Sequence, residues 1–293
     1  METKFGTARR LLTNKSLPGM AGKAALYLTT YLTIQTSYGD DLLYERAVDD
    51  VRSRMQEEED LEDVLDTVHE VEPGAPFSVD ISQNREEIRA LAELVAEQEP
   101  RNVLEIGTLR GGTFYVWSRY LDSAEHLVSL DLPGRDLKRR RDDMLEEFAP
   151  SKQVDVVRGN SHDEDVYREV ADVFDVDVAE NGDADAESTG VDFLFVDGDH
   201  SYEGVKQDFE DYSRLVNDGG VVAFHDIVPH ADSWSECRRR LKQHDDLEER
   251  HVGVGHPEWD VAGYWDEISG SYETEEIVAH PAQAGKGIGV VYL

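Results

Sequence analysis

The side chains best able to do chemistry together fall in two short stretches, Asp197-Gly-Asp-His200 and His225-Asp226. Each follows an apolar run that suits a buried parallel strand, Val191-Asp-Phe-Leu-Phe-Val196 before the first and Val221-Val-Ala-Phe224 before the second. Neighbouring parallel strands lie about 4.8 Å apart, so side chains at adjacent carboxyl ends can meet over one atom. Asp197, Asp199, Asp226 and the His225 imidazole would then share one small region. So much negative charge in one place is unfavourable without a cation. A bound divalent ion answers that demand. Oxygen ligands favour magnesium or manganese, and direct binding by His225 shifts the balance toward manganese or a heavier ion.

A second pair of acids brackets a glycine turn. Val103-Leu-Glu-Ile106 suits a buried strand, and Gly107-Thr-Leu-Arg-Gly-Gly112 suits a turn in which backbone approaches a ligand closely. Thr113 opens a helix-like run to Leu121, and a second strand follows, His126 to Asp131. The helix start directs unpaired N–H groups toward the turn. Glu105 stands at the end of the first strand and Asp131 at the end of the second. Ligands of doubly wound sheets bind beyond the carboxyl ends of the strands, so both acids are expected to face the bound molecule. The dinucleotide spacing Gly-x-Gly-x-x-Gly is absent, which disfavours a nicotinamide-dependent oxidoreductase. An acid just before the glycines better fits a ligand that carries positive charge and a ribose.

These elements must be carried by a strongly acidic chain. Its 293 residues hold 64 Asp and Glu against 29 Lys and Arg, a formal net charge of −35. Such a field repels nucleic acid and anionic membranes over about 8–10 Å at ordinary salt, so neither is an expected partner. The acids are spread along the chain, as in Glu57-Glu-Glu-Asp60 and Asp245-Asp246. A salt-rich cytoplasm that screens the self-repulsion, and hence a halophilic protein, is the preferred explanation. Cys237 stands alone, which excludes an internal disulfide and fits a reducing compartment. The apolar run from Ala24 to Ile34 is interrupted by threonines and tyrosines and is too short to span a bilayer. No small-residue cleavage site follows it, and the expected location is cytoplasmic.

Residues 1–72 read as a helical addition, with Leu42, Leu43, Ala47, Val48, Val51 and Met55 at spacings near 3.6. It either caps the site or offers a surface to a second copy in a homo-oligomer, and the sequence leaves both open. Glu72-Pro-Gly-Ala-Pro76 breaks the helix, so a second unit of residues 73–293 begins there. A helix from Ser82 to Glu97 precedes the first strand, and a third strand, Val154 to Val157, ends at Arg158-Gly-Asn-Ser161. The stretch 175–190 is acidic and nearly free of large apolar groups, as in an exposed loop. Asn217-Asp-Gly-Gly220 is expected to turn the chain into the fifth strand. Tyr264 and Trp265 suit core and substrate contact equally. A terminal strand, 285–293, pairs with 276–280.

The glycine stretch resembles that of the class I S-adenosylmethionine-dependent methyltransferases. With the Asp197–His200 and His225-Asp226 stretches, the resemblance narrows to the metal-dependent O-methyltransferases of the macrocin and cephalosporin-hydroxylase-like group, and it covers about residues 77–293. It implies an α/β, Rossmann-like, seven-stranded and mostly parallel sheet, with helices on both faces and the last strand reversed. S-adenosylmethionine is then the cofactor. The resemblance gives Glu105 the amino-acid part of that molecule and Asp131 the ribose hydroxyls. Gly107, Thr108, Gly111, Gly112 and Thr113 form the turn against it, Asn160 and Ser161 border the adenine, and Asp197 also faces it. Asp197, His225 and Asp226 would bind the divalent ion, magnesium or manganese, with Asp199 as base and His200 near cofactor or substrate. His225 departs from the sugar-modifying relatives, which commonly carry an acid there. The function implied is metal-assisted methyl transfer to a hydroxyl of a sugar, polyol or other small metabolite. The contrasting reading is a non-catalytic cofactor-binding or scaffold protein.

Overall fold

The computed structural model of the chain describes residues 37–69, 79, 81–133, 141–176 and 190–293. The apolar run at 24–34, the boundary expected at 72–76 and most of the acidic 175–190 stretch lie outside the described residues. Strand runs alternate with helices along the chain: α1 (Ser37–Glu57), α2 (Leu61–His69), α3 (Arg85–Glu97), β1 (Asn102–Ile106), α4 (Gly112–Tyr120), β2 (His126–Asp131), α5 (Arg141–Phe148) and β3 (Gln153–Arg158). There follow α6 (Glu164–Val173), β4 (Val191–Val196), α7 (Tyr202–Tyr212), β5 (Val216–His225), α8 (Trp234–Gln243), α9 (Val261–Ile268), β6 (Glu273–Ile277) and β7 (Ile288–Tyr292).

The strands form one sheet in the order β3-β2-β1-β4-β5-β7-β6. β1 to β5 run parallel, and β7 is antiparallel to both β5 and β6. The strand partner of β7 is residues 273–277, a little earlier than the sequence suggested. The order reverses between β1 and β4, the point at which open α/β sheets bind ligands. Register makes the strands finish together there: Ile106 pairs with both Leu130 and Val196, and Val196 with Phe224. Gly107, Asp131, Asp197 and His225 therefore arrive at one rim.

Alternation along each strand divides the core in two. Val103, Phe193, Phe195, Val221 and Ala223 face a cluster that includes residues of α1 to α5. Leu104, Ile106, Leu194, Val196, Val222 and Phe224 face α6, α7 and α9. Tyr264 and Trp265 are buried in this second cluster, which settles them as core. α1 and α2 are continuous with the first cluster through Val48, Val51, Leu65 and Val68. Glu58, between those two helices, accepts from Tyr115 Oη and Arg119 Nε of α4 and from Thr67 Oγ1 of α2. The Asn217–Gly220 stretch lies inside β5 as an irregularity, since Val191 pairs with Val216 and Phe193 with Val221. Among the described residues no helix is long and apolar enough to cross a membrane.

Candidate active site

A cavity of about 610 Å³ opens at the rim where β1, β2, β4 and β5 end. Its lining includes Gly107, Asp131, Asn160, Ser161, Asp197, Asp199, His200, His225 and Asp226, so nine residues singled out in the sequence meet around one space. Gly107 has φ +93°, and a Cβ there would lie 2.1 Å from the Asp197 carbonyl oxygen. Only glycine lets β1 leave the sheet this close to the end of β4. Leu109 (φ +45°), Asp226 (φ +67°) and Lys286 (φ +63°) also line the cavity in left-handed backbone conformations. Such conformations cost about 1–3 kcal/mol each and persist where surrounding bonds fix them. At Asp226 the fixing bond is Lys286 N–H donating to Oδ1 at 2.9 Å.

The carboxylates at the ends of β4 and β5 are joined through imidazoles. His225 Nδ1 lies 3.0 Å from Asp197 Oδ1 and 3.6 Å from Asp226 Oδ1, and His200 Nδ1 lies 3.0 Å from Asp226 Oδ2. His230 Nε2 stands 3.8 Å from Asp226 Oδ1, and Gln83 Nε2 donates to Asp197 Oδ2 at 2.7 Å. His225 is only 4% exposed. Burial alone would lower its pKa, but the Asp226 and Asp197 charges and the bond to Asp197 outweigh it and push the imidazole up to about 9. Burial would raise Asp226, but the His225 charge and the His200 bond hold it well below the usual carboxylate range. The same opposition leaves His200 raised, with burial overcome by the Asp226 bond and the Asp197 charge.

This arrangement sets imidazoles directly against the carboxylates. Each oxygen of Asp197 and Asp226 already faces an N–H donor: His225 and Gln83 on the first, Lys286 N–H and His200 on the second. Among the described residues no group of three His, Cys, Asp or Glu is placed to hold a metal ion. Asp197, His225 and Asp226, the donor set expected from the resemblance, stand together at this rim, with their facing atoms engaged by these bonds.

Other expected residues support the turn and stand back from the cavity. Glu105 is fully buried and accepts from Thr113 Oγ1 at 2.8 Å and Trp117 Nε1 at 2.7 Å. Thr108 bonds Ser129 Oγ at 2.7 Å, and Gly111, with φ +80°, caps α4, which starts at Gly112. Glu105, Thr108, Gly111, Gly112 and Thr113 are absent from the lining. Asp131 Oδ2 accepts from Leu109 N–H at 3.0 Å, so the second acid does reach the space while clamping the turn. Asp199 lines the cavity, but its Oδ1 accepts from Ser201 N–H at 2.8 Å, the local task of ordering the loop before α7.

Burial pushes the Glu105 carboxyl up to about 8, against bonds from Thr113 and Trp117 that favour the anion. The folded chain thus holds a proton that the unfolded chain releases above the ordinary carboxylate range. The contribution of Glu105 to stability is therefore fully present below that range, falls as pH rises toward 8, and levels off above it. Each unit between the two pKa values is worth about 1.4 kcal/mol. Glu105→Gln should flatten this fall, read as melting temperature between pH 5 and 8.5 at fixed salt. Equal slopes in both proteins would refute it.

Gln83, His230, Trp259 and Lys286 were not singled out in the sequence. Gln83 precedes a helix, and His230 and Trp259 sit in aperiodic loops that no strand-end pattern marks. Lys286 had one signal, a cation between two glycines, Gly285 and Gly287.

The sheet order, the reversed β7 and the cavity at the β1/β4 reversal define the Rossmann-like fold of class I methyltransferases. Residues 104–227 match the family described as a methyltransferase domain. Over 142 residues the chain is 26% identical to an uncharacterized protein, R132, of Acanthamoeba polyphaga mimivirus, covering 47% of this chain and 56% of the viral protein. The match thus spans about half the length of that relative. Similar solved structures include an O-methyltransferase from Bacillus cereus in complex with SAH, at 19% identity and TM-score 0.43, covering 80% of this chain and 90% of that one. Another is the O-methyltransferase TomG from Streptomyces achromogenes, involved in tomaymycin synthesis and in complex with SAM, at 17% identity and TM-score 0.46, covering 80% and 91%. These are likenesses of general plan.

Proposed function

We propose that the chain transfers a methyl group from S-adenosylmethionine to a hydroxyl of a small molecule such as a sugar or polyol, with His200 as the base. The observation that carries this reading is one cavity containing both Asp131, at the end of β2, and the histidine–carboxylate cluster at the ends of β4 and β5. A rim of acids fits a ligand with a sulfonium, an ammonium and ribose hydroxyls, and the volume falls within the ordinary range of about 300–1,000 Å³ for such sites. Bound S-adenosylmethionine would supply the electrophilic methyl group.

The chain's own contribution is orientation and proton transfer. Asp226 can only accept at His200 Nδ1, so that nitrogen carries the proton in the neutral ring and leaves Nε2 as acceptor. His200 Nε2 takes the proton of the acceptor hydroxyl as its oxygen bonds to the methyl carbon and the carbon–sulfur bond breaks. Asp226 stabilises the imidazolium so formed. Asp131 and the neighbouring Asn160 and Ser161 support a ribose and adenine placed along β2 and β3. Positioning of the two reactants supplies much of the acceleration.

Calorimetric titration with S-adenosylhomocysteine at high salt is the test, and binding is expected with or without magnesium or manganese. The absence of binding under all of these conditions would remove the reading. Dialysis against EDTA should leave turnover within about twofold of the untreated chain, because the base needs no ion to lose its proton. A rate lost to EDTA and restored by magnesium or manganese would replace the His200 base with metal-assisted chemistry.

A further inference from the structure

A second cavity, about 270 Å³, adjoins the first and shares His200, Asp226, His230 and Trp259 with it. The rest of its lining comes from two loop segments, 228–232 after β5 and 255–262 leading into α9. His200 therefore stands in the wall between the two spaces, where a proton acceptor for methyl transfer has to be.

Trp259 is the unusual member of that wall. A tryptophan is among the largest apolar side chains, yet this one is 44% exposed. It is nevertheless held in place. Its ring centroid lies 4.9 Å from that of His200 at 31°, 5.3 Å from that of His230 at 62°, and 6.5 Å from that of His256 at 47°. Backbone bonds fix the segment as well: Trp259 N–H donates to the His256 carbonyl at 3.0 Å, and Asp260 N–H to the His200 carbonyl at 2.8 Å. Asp260 in turn caps α9 by accepting from Gly263 N–H at 3.1 Å. An exposed indole beside three imidazoles, all tied to the loop that carries the base, is built as a surface for a ligand.

We infer that this second cavity is the acceptor subsite, that Trp259 is its stacking platform, and that its occupant is a single neutral, hydroxylated six-membered ring. The inference rests on the methyl-transfer reading and deepens it. The volume of about 270 Å³ suits a single small ring and is too small to enclose a polymer. The indole matches the apolar face of such a ring, while His230, His256 and Asp232 offer donors and acceptors to hydroxyls at its edge. A chain of net charge −35 disfavours an anionic acceptor. His200, within reach of both spaces, then meets the one hydroxyl that points toward the methyl donor.

The test uses the full chain, with methyl α-D-glucopyranoside, methyl α-D-galactopyranoside and methyl α-D-mannopyranoside as ring probes and catechol as the flat aromatic alternative. Formation of S-adenosylhomocysteine from S-adenosylmethionine is followed with each, and affinity for S-adenosylhomocysteine is measured separately. Transfer to at least one glycoside is expected. Trp259→Ala should raise its KM at least tenfold with kcat changed less than threefold, and Trp259→Phe should recover part of the loss. An unchanged KM in Trp259→Ala overturns the platform. Transfer to catechol alone, or to none of the probes by a chain that binds S-adenosylhomocysteine, overturns the assignment of the ring. A wild-type chain that fails to bind S-adenosylhomocysteine overturns the methyl-transfer reading itself, so the two failures are told apart.

Discussion

Asp226→Asn is expected to lower turnover by about 10²- to 10⁴-fold, the range typical for loss of general acid–base function, while affinity for S-adenosylhomocysteine stays within about threefold. Asparagine tolerates the left-handed backbone, so φ +67° is kept. Its side-chain oxygen can still accept from Lys286 N–H, the bond that holds the segment. The charge is what disappears. Without it His200 loses the carboxylate at 3.0 Å that selects its tautomer and stabilises its protonated form, and His225 loses one of its anionic neighbours. Alanine at the same position would add backbone strain to this loss and blur the result. Single-turnover rates with saturating donor give the comparison, and an undiminished rate would exclude the histidine–carboxylate pair from the chemistry.

Gly107→Ala should destabilise the chain by roughly 2–5 kcal/mol, the sum of overpacking and a left-handed alanine. The added carbon would sit 2.1 Å from the Asp197 carbonyl oxygen, 2.4 Å from its carbon and 2.7 Å from Gly198 N. All three are backbone atoms, so relief requires β1 and β4 to part at the cavity. Gly219→Ala is the matched control, because Gly219 also has positive φ, +82°, yet a Cβ there meets nothing within 4 Å. That variant should lose only the conformational part, about 1–2 kcal/mol. Denaturant midpoints at constant salt measure both. Equal losses would mean that the close approach at Gly107 contributes nothing.

The sheet was legible because its signals are local and repeated. Apolar runs of strand length, glycine turns and helical periodicity each occur several times, and they gave β1 to β5 and the convergence of Asp131, Asp197, His225 and Asp226. Glu105 was less legible for a geometric reason. Side chains alternate along a strand, so a shift of one position decides whether an acid faces ligand or core. Glu105 shares the face of Val103 and turns toward Trp117, whereas Asp197 follows the last residue of β4 and escapes the alternation. Asn217–Gly220 carries the composition of a turn, but pairing of Val216 with Val191 keeps it inside β5. The crowding of Asp197 and Asp226 was legible from their places at adjacent strand ends. The contacts of His200, His225 and Gln83 with those acids were not legible, because they depend on distances that a sequence does not carry.

The anchorage of α1 and α2 makes them part of the same folding unit as the sheet. Lifting these helices as a lid would strip Glu58 from Tyr115, Arg119 and Thr67 and uncover Leu65 and Val68. Among the described residues, none of either helix lines the cavity. Leu109, Leu132 and Trp259 stand exposed at the cavity's edge, so large apolar surface meets solvent beside the acids.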